Sequence, residues 1–297
     1  MDKKECIVKL SEKAIDTTEN VLSWLNKPKE EARLQLVNII SDNTKLTAKE
    51  KIALIYHSRK LVKEYANLST IYEQAKKQID IDENQTDIDD DWLHFFFDKA
   101  EKVSNESMQF LWSKLLAGEF NKPGSVSRKL LHIISIMDIH SARSFQTFSL
   151  YVFERYQMFT SSYNTEAVMI PFGFYENSFD FMKKTEKWLK EAGYSDYKDL
   201  ALNLTMNEGE LNSLENLGLV QNIAENKCGI PLIYNLNGEK IMLSPEDNYD
   251  FPLGKYSFTQ EGMQLYQIIN GSGNEVALTI TIKNLESQGV KFNKIKI

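Results

Sequence analysis

Apolar residues recur along the first half of this chain mostly at spacings of three and four, so the sequence predicts helices there. Ile7, Leu10, Ala14 and Ile15 form one stripe, and Val21, Leu22, Trp24 and Leu25 follow it. Lys27-Pro28 marks a break, with Pro28 suited to the first turn of a further helix that carries Leu34, Leu36, Val37, Ile39 and Ile40. Trp24 near Lys27 and Lys29 suits a membrane surface, but acidic residues mixed throughout this stretch disfavour that reading.

After the turn Ser41-Asp42-Asn43, Thr47 and Glu50 have the spacing of a capping box. A single long helix is predicted from there to about Ile79, with no Gly or Pro inside it. Leu54, Leu61, Leu68 and Ala75 recur every seven residues, with Ser58, Tyr65, Tyr72 and Ile79 on the adjacent row. Such a heptad seam suits a dimerising coiled coil or a bundle helix packed within its own chain. Tyr, Ser and Ala at seam positions favour the bundle.

The acidic run Asp80 to Asp91 places Asp80, Asp82 and Asn84 where a calcium loop has its first ligands. Gln85 stands where that loop needs Gly, and Asp91 replaces its bidentate Glu. A solvated loop whose last acids cap the next helix explains the run better. Trp92 to Ala100 then predicts a deeply buried helix, with Trp92, Phe95, Phe96 and Ala100 on one face. Ser104 or Ser107 is the expected N-cap of the following helix, which carries Met108, Leu111, Trp112, Leu115 and Leu116. Gly118 permits close helix packing. Pro123-Gly124-Ser125 is a turn, and Ser125 or Ser127 caps a helix with Leu130, Leu131, Ile133, Ile134 and Met137. Asp138 starts a third helix with Ala142, Phe145 and Phe148 on one face.

Beyond this the pattern changes. Leu150, Val152 and Phe153 continue a helix, Val168 to Phe172 reads as a short strand, and Phe179 to Ala192 reads as a helix stopped by Gly193. Glu208 to Leu219 is a further helix. Ile230–Leu236 and Lys240–Leu243 flank Asn237-Gly238, a strong hairpin signal. A helix follows Thr259, with Met263, Leu265, Tyr266, Ile268 and Ile269 on its face. Val276 to Ile282 alternates like a strand, with a helix from Ile282 to Gly289 and a closing strand Val290–Ile297.

Two resemblances attach to these segments. Asp90–Phe96 (DDWLHFF), Met108–Glu119 (MQFLWSKLLAGE) and Lys122–Leu131 (KPGSVSRKLL) resemble an uncharacterised bacterial family with the pattern D-W-x-x-x-F-x-x-x-A, M-Q-x-L-W-x-x-L-L-A-G-E and P-G-S-x-S-x-R-x-L. The LLAGE-type helix and the helix after its short turn are also similar to the abortive-infection alpha proteins of phage defence. The match covers Asp89 to about Phe148 and departs at Ser127-Arg128-Lys129, where the pattern's Arg sits one residue later. Its signature core falls on Trp92, Phe96, Gln109, Trp112, Leu116, Gly118, Glu119 and Pro123, and it implies no activity. Separately, the helix ending in Leu-Gly-Leu-Val, the hairpin and F-T-x-x-G-x-x-L are similar to winged-helix domains.

The 297 residues favour two domains, and 42% hydrophobic with 26% charged residues is ordinary for a soluble globular protein. A net charge of −7 argues against a protein living mainly on nucleic acid. Cys6 and Cys228 form no pair motif, which suits a reducing cytosol. MDKKECIVKLSEKA lacks an apolar core of signal-peptide length, so export is not expected. No run of roughly 18 apolar residues predicts a membrane span.

The sequence contains no P-loop, H-E-x-x-H, C-x-x-C or G-x-S-x-G. His57, His94, His132 and His140 are widely spaced, and Asp138 near His140 reads as a helix start before it reads as a metal site. The best ligand candidate is the turn with Lys122, Gly124, Ser125, Ser127, Arg128 and Lys129. There, free N–H groups and a helix N-terminus suit a phosphate, although a plain Ser cap explains the same residues. In the winged-helix-like unit, Glu208, Glu210 and Glu215 occupy the would-be recognition helix, where DNA binding calls for Lys or Arg.

The expected fold is mainly α with a smaller α+β part: a helical bundle over 1–160 and a winged-helix-like domain over 161–297. The expected function is a cytoplasmic, non-enzymatic bacterial interaction protein of phage defence or stress response, with a protein partner or self-association and without cofactors or membrane insertion. The alternatives are a DNA-binding transcriptional regulator acting through the C-terminal unit and an effector sensing a phosphate ligand.

Overall fold

A computed structural model describes residues 29–79, 88–155, 164–169, 178–223, 226–228, 231–246, 251–253 and 256–297. The chain is mainly helical with a smaller α+β part and divides into two compact units, one ending at Leu131 and one beginning at His132. The stripes read between Ile7 and Leu25, and the residues Asp80 to Asp87, lie outside the described residues.

The first unit contains α1 (Lys29–Asp42), α2 (Ala48–Lys76), α3 (Asp90–Ala100) and α4 (Glu106–Asn121). Thr47 and Glu50 form the expected capping box: the Thr47 hydroxyl accepts the Glu50 N–H, and the Glu50 carboxylate accepts the Thr47 N–H at 2.8 Å. Asp89 caps α3 by accepting the Trp92 N–H at 2.8 Å. The cap of α4 is Asn105, which accepts the Met108 N–H at 3.1 Å, rather than Ser104 or Ser107. Its amide oxygen takes the N–H three residues on, as N-cap side chains do.

The core of this unit is aromatic. Trp92 stacks on Phe96 with ring centres 5.3 Å apart, and Phe96 meets Trp112 edge-on at 5.2 Å. Ile71, Ala75, Ala100, Leu115 and Leu116 are buried around them. Each large apolar side chain removed from water here contributes about 1.5–3 kcal/mol.

α2 divides in two, and the seam with it: Leu54 and Leu61 are exposed, Leu68 is half-buried and Ala75 is buried. Toward its C-terminus, Asn67, Ile71 and Ala75 are buried, and the helix packs on α4. Toward its N-terminus, Ile52 is 70% exposed, Leu54 42%, Tyr56 66% and Leu61 65%. The bundle reading therefore describes the second half of the helix, while these four side chains stay outside the packing that α1 and α4 give it.

α5 (Arg128–Ile136) carries the chain across the unit boundary. The second unit continues with α6 (Ile139–Ser149), β1 (Val152–Arg155), β2 (Asn164–Met169), α7 (Ser178–Glu191), α8 (Tyr197–Leu204) and α9 (Glu208–Asn216). Strands β3 (Val220–Asn222), β4 (Asn226–Cys228), β5 (Leu232–Leu236), β6 (Glu239–Pro245), β7 (Phe251–Leu253) and β8 (Tyr256–Phe258) follow. α10 (Gln260–Ile268), α11 (Glu275–Ser287) and β9 (Phe292–Lys296) complete it. Among the described residues, seven strands make one sheet in the order β3-β8-β2-β1-β5-β6-β9, every neighbour antiparallel, and β4 pairs with β7 separately.

The hairpin read at Asn237-Gly238 is β5–β6. Both turn residues have positive φ, 50° and 89°, as a primed two-residue turn requires. The hairpin lies within the sheet, with β1 on one side and β9 on the other. Leu232, Tyr234, Ile241 and Leu243 from it bury against Leu278, Leu285 and Val290.

Three expectations give way here. Val276 to Ile282 is not a strand but the body of α11: Asn274 caps it by accepting the Ala277 N–H at 2.7 Å. Ala277, Leu278, Thr281 and Leu285, at helical spacing, face the core, and this burial overrides the alternation of β-branched residues. Gly289, at φ 87°, ends the region and β9 closes it, as read. Leu150 to Phe153 is not a helical continuation, because Val152 starts β1. The unit boundary also falls earlier than residue 160. Phe145 and Phe148 of α6 pack on Phe258 at 5.3 and 5.1 Å, and the Tyr151 hydroxyl donates to the Leu204 carbonyl at 2.8 Å.

Candidate functional site

The Pro123 turn leaves α4 and enters α5. Gly124 has φ +82°, so the backbone doubles back there at little steric cost. Its N–H donates to Glu119 Oε1 at 2.6 Å, and the Val126 N–H donates to Glu119 Oε2 at 2.8 Å. The carboxylate is 2% exposed. The turn is thus built round an anion that the chain itself supplies.

The other polar groups of the signature are also engaged within the unit. Trp92 Nε1 donates to the Val126 carbonyl at 2.7 Å, so Glu119 and Trp92 hold the two sides of one peptide residue. The Ser125 hydroxyl donates to the Gly118 carbonyl at 3.0 Å, and Lys122 N–H donates to the same oxygen at 2.9 Å. Ser127 caps α5 by accepting the Leu130 N–H at 3.1 Å. Gln109 lies apart from the turn. Its amide donates to the Asn67 side chain at 3.2 Å and to the Val103 carbonyl at 2.9 Å. Asn67 donates in turn to the Glu101 carbonyl at 2.8 Å, tying α2 to the α3–α4 connection.

The structure therefore gathers Trp92, Phe96, Trp112, Leu116, Gly118, Glu119 and Pro123 into one neighbourhood of α3, α4 and the turn, with Gly118 and Pro123 half-buried and the others buried. Lys122, Arg128 and Lys129 remain on the exposed side of the turn. Sequence reasoning missed the role of Glu119 as the turn's acceptor and the part played by Val126 and Asn67. A carboxylate four residues before a Pro-Gly-Ser turn was the available signal for the first. Nothing in the sequence pointed to the other two.

Elsewhere the candidate chemistry resolves into helix ends. Asp138 accepts the Ser141 N–H at 2.7 Å. That bond, the Ser141 side chain and nearby His140 hold its carboxyl below the usual carboxylate range. His57, His94, His132 and His140 are exposed. Among the described residues no three His, Cys, Asp or Glu side chains are placed to hold a metal ion. On α9, Glu210 is drawn into a capping box with Asn207, while Glu208, Asn212 and Glu215 are exposed. No helix among the described residues is long and apolar enough to cross a membrane.

These features define a two-unit, mainly helical protein whose densest sequence signature is a structural knot, with its polar groups turned onto its own backbone. The chain belongs to the family described as Protein of unknown function (DUF2806), whose model matches residues 54–279 and so reaches into both units. No curated protein and no solved structure matches the chain.

Proposed function

We propose that this is a non-enzymatic bacterial interaction protein that works by binding another protein. The observation that carries this reading is the N-terminal half of α2, where Ile52, Leu54, Tyr56 and Leu61 are left in solvent. Large apolar side chains left exposed together along one stretch of a helix mark an interaction segment. The internal engagement of Glu119, Trp92 and Gln109 supports it further, because it gives the signature a folding role. A place in phage defence or stress response rests on the resemblance of Asp89 to Phe148 to abortive-infection alpha proteins. Affinity purification from infected and uninfected bacteria, followed by reconstitution of the captured complex from purified components, tests the proposal. A stoichiometric complex is expected. Robust turnover of a nucleotide or nucleic acid, abolished by substituting residues of this chain, would overturn it.

A second reading is a DNA-binding regulator. It is favoured by the order α8, α9, then a hairpin, which is the order of a winged helix. It is opposed by the exposed Glu208 and Glu215 on α9 and by the enclosure of β5–β6 between β1 and β9. The phosphate-sensing reading retains Lys122, Arg128 and Lys129 but must share the turn's N–H groups with Glu119.

A further inference from the structure

Asn-Gly is a strong former of two-residue turns. It is also chemically fragile, because glycine has no side chain to hinder attack by its nitrogen on the asparagine before it. The chain contains two such dipeptides, Asn237-Gly238 and Asn270-Gly271. Both asparagines are exposed and have positive φ, 50° and 51°. The reaction open to each is deamidation. The glycine nitrogen gives up its proton to solvent and attacks the asparagine Cγ. A C–N bond forms, the bond to the side-chain nitrogen breaks, and ammonia leaves. Water then opens the succinimide at one carbonyl or the other, giving Asp or isoaspartate. The ring nitrogen has no hydrogen, so the hydrogen bond that the glycine N–H donates must break first.

The two sites differ in that bond and in the room around it. The Gly271 N–H donates to the Tyr266 carbonyl at 2.8 Å, at the end of α10. The buried Tyr266 ring lies so close to Gly271 that a Cβ there would overlap it. The peptide can turn only if that tyrosine moves with it. The Gly238 N–H donates instead to a side chain, Asn235 Oδ1, at 3.1 Å, and a Cβ on Gly238 would meet no atom within 4 Å. Asn235 is itself half-buried and anchored on its far side. Its Nδ2 donates to the Gly271 carbonyl at 3.4 Å, and its own carbonyl accepts the Gly273 N–H at 2.8 Å. Local opening costs least at exposed turns and most where buried groups must shift.

We propose that Asn237 is a site of spontaneous deamidation in the folded protein, that the Asn235 side chain guards it, and that Asn270 is locked despite being in the same dipeptide. Both products add a negative charge to the hairpin. Isoaspartate also lengthens the backbone of a turn whose length sets the pairing of Leu236 with Glu239.

The test is peptide mass spectrometry of the full chain during incubation at mildly basic pH, with and without urea. In the folded chain Asn237 should convert at least severalfold faster than Asn270. In urea the two should convert at comparable rates. Asn235→Ala should speed conversion of Asn237 by up to about tenfold, the scale of one neutral hydrogen bond, and leave Asn270 slow. Asn235→Asp keeps an acceptor for the Gly238 N–H and should convert no faster than the wild type. Circular dichroism confirms folding. Asn235→Val, whose branched side chain suits a strand, repeats the test if Asn235→Ala does not fold, and the wild-type comparison of the two sites needs no variant. Three results would each overturn the proposal. One is conversion of Asn270 as fast as Asn237 in the folded chain. Another is no conversion of Asn237 in the folded chain while the chain in urea converts. The third is an Asn237 rate unmoved in the folded Asn235 variant.

Discussion

The Glu119 carboxylate lies inside the turn that follows it, within 2.6 Å of the Gly124 nitrogen and 2.8 Å of the Val126 nitrogen. Charge-assisted hydrogen bonds of this kind are stronger than neutral ones, and a buried N–H left without its acceptor is costly. Glu119→Ala is therefore expected to destabilise the first unit by about 2–4 kcal/mol. Glu119→Gln should cost nearly as much, because its NH2 group faces one of the two backbone donors. Urea unfolding monitored by tryptophan fluorescence measures both. A change within experimental error would mean that the turn is held by other contacts.

Trp92→Phe keeps most of the stacking on Phe96 but removes the donor to the Val126 carbonyl. The expected cost is about 1–3 kcal/mol, that of an unsatisfied buried acceptor. Because Trp92 and Glu119 act on the same residue, Val126, the double variant should cost measurably less than the sum of the two single changes. A double-mutant cycle in the same urea assay reads this coupling, and strict additivity would refute it.

The second unit contains a different constraint. Tyr234 has its hydroxyl 2.7 Å from the Leu150 carbonyl and accepts the Asn274 N–H at 3.0 Å, with Gly273 directly against it. A Cβ on Gly273 would overlap the Tyr234 hydroxyl and ring. Gly273→Ala should destabilise this unit by about 3 kcal/mol, within the range of an overpacked core. Gly124→Ala meets no atom but must adopt φ +82°, so its cost should be smaller, about 1 kcal/mol. Calorimetry of the two variants checks the order.

Tyr151, Tyr234 and Tyr266 titrate late. Burial raises all three hydroxyls, and Tyr266, which also faces the Glu154 charge, is pushed up to about 12. The folded state holds these protons after the unfolded chain has released them, near pH 10. Their contribution to stability is therefore complete below about pH 10 and is lost as the pH rises through the folded values. Stability measured in urea should fall between about pH 10 and 12. Tyrosinate absorbance should show a delayed class that appears together with unfolding. If all tyrosines titrate as one group with the fold intact, the burial argument fails.

Neither the Pro123 turn nor α9 is expected to bind a polyanion. Arg128→Ala with Lys129→Ala should leave nucleotide affinity unchanged, since Glu119 occupies the turn's donors. Micromolar protein should not shift a random duplex at low salt, conditions under which non-specific DNA binders are retained. Weakened nucleotide binding in the double variant would restore the anion-site reading, and a shifted duplex would restore the regulator reading.

Much of the local structure was legible because its signals lie close together in sequence. The Thr47–Glu50 box, the Asp138 cap and the Asn237-Gly238 turn each depend on residues a few positions apart. The strand–helix confusion at Val276 to Ile282 arose because β-branched residues suit both states there, and the choice was made by burial against β5 and β6. The sheet order was not legible either, since β1 pairs with a strand far along the chain. For the candidate site, the residue types were visible but their direction was not. The spacing of Pro123 to Lys129 describes an anion-binding turn equally well whether the anion is a ligand or Glu119.

The strand order has a consequence for how the protein is made. α2, α3 and α4 contact one another over short stretches of sequence, so the first unit can assemble soon after its residues emerge. β1 and β2 are the central strands, yet their outer neighbours β5 and β8 begin at Leu232 and Tyr256. During synthesis the middle of the sheet therefore exists before either flank, with both edges unpaired. Long-range pairing of this kind is slow, and open edges are where nascent chains aggregate. The helical unit should fold early, while the sheet unit is the part whose yield depends on translation speed and on chaperones.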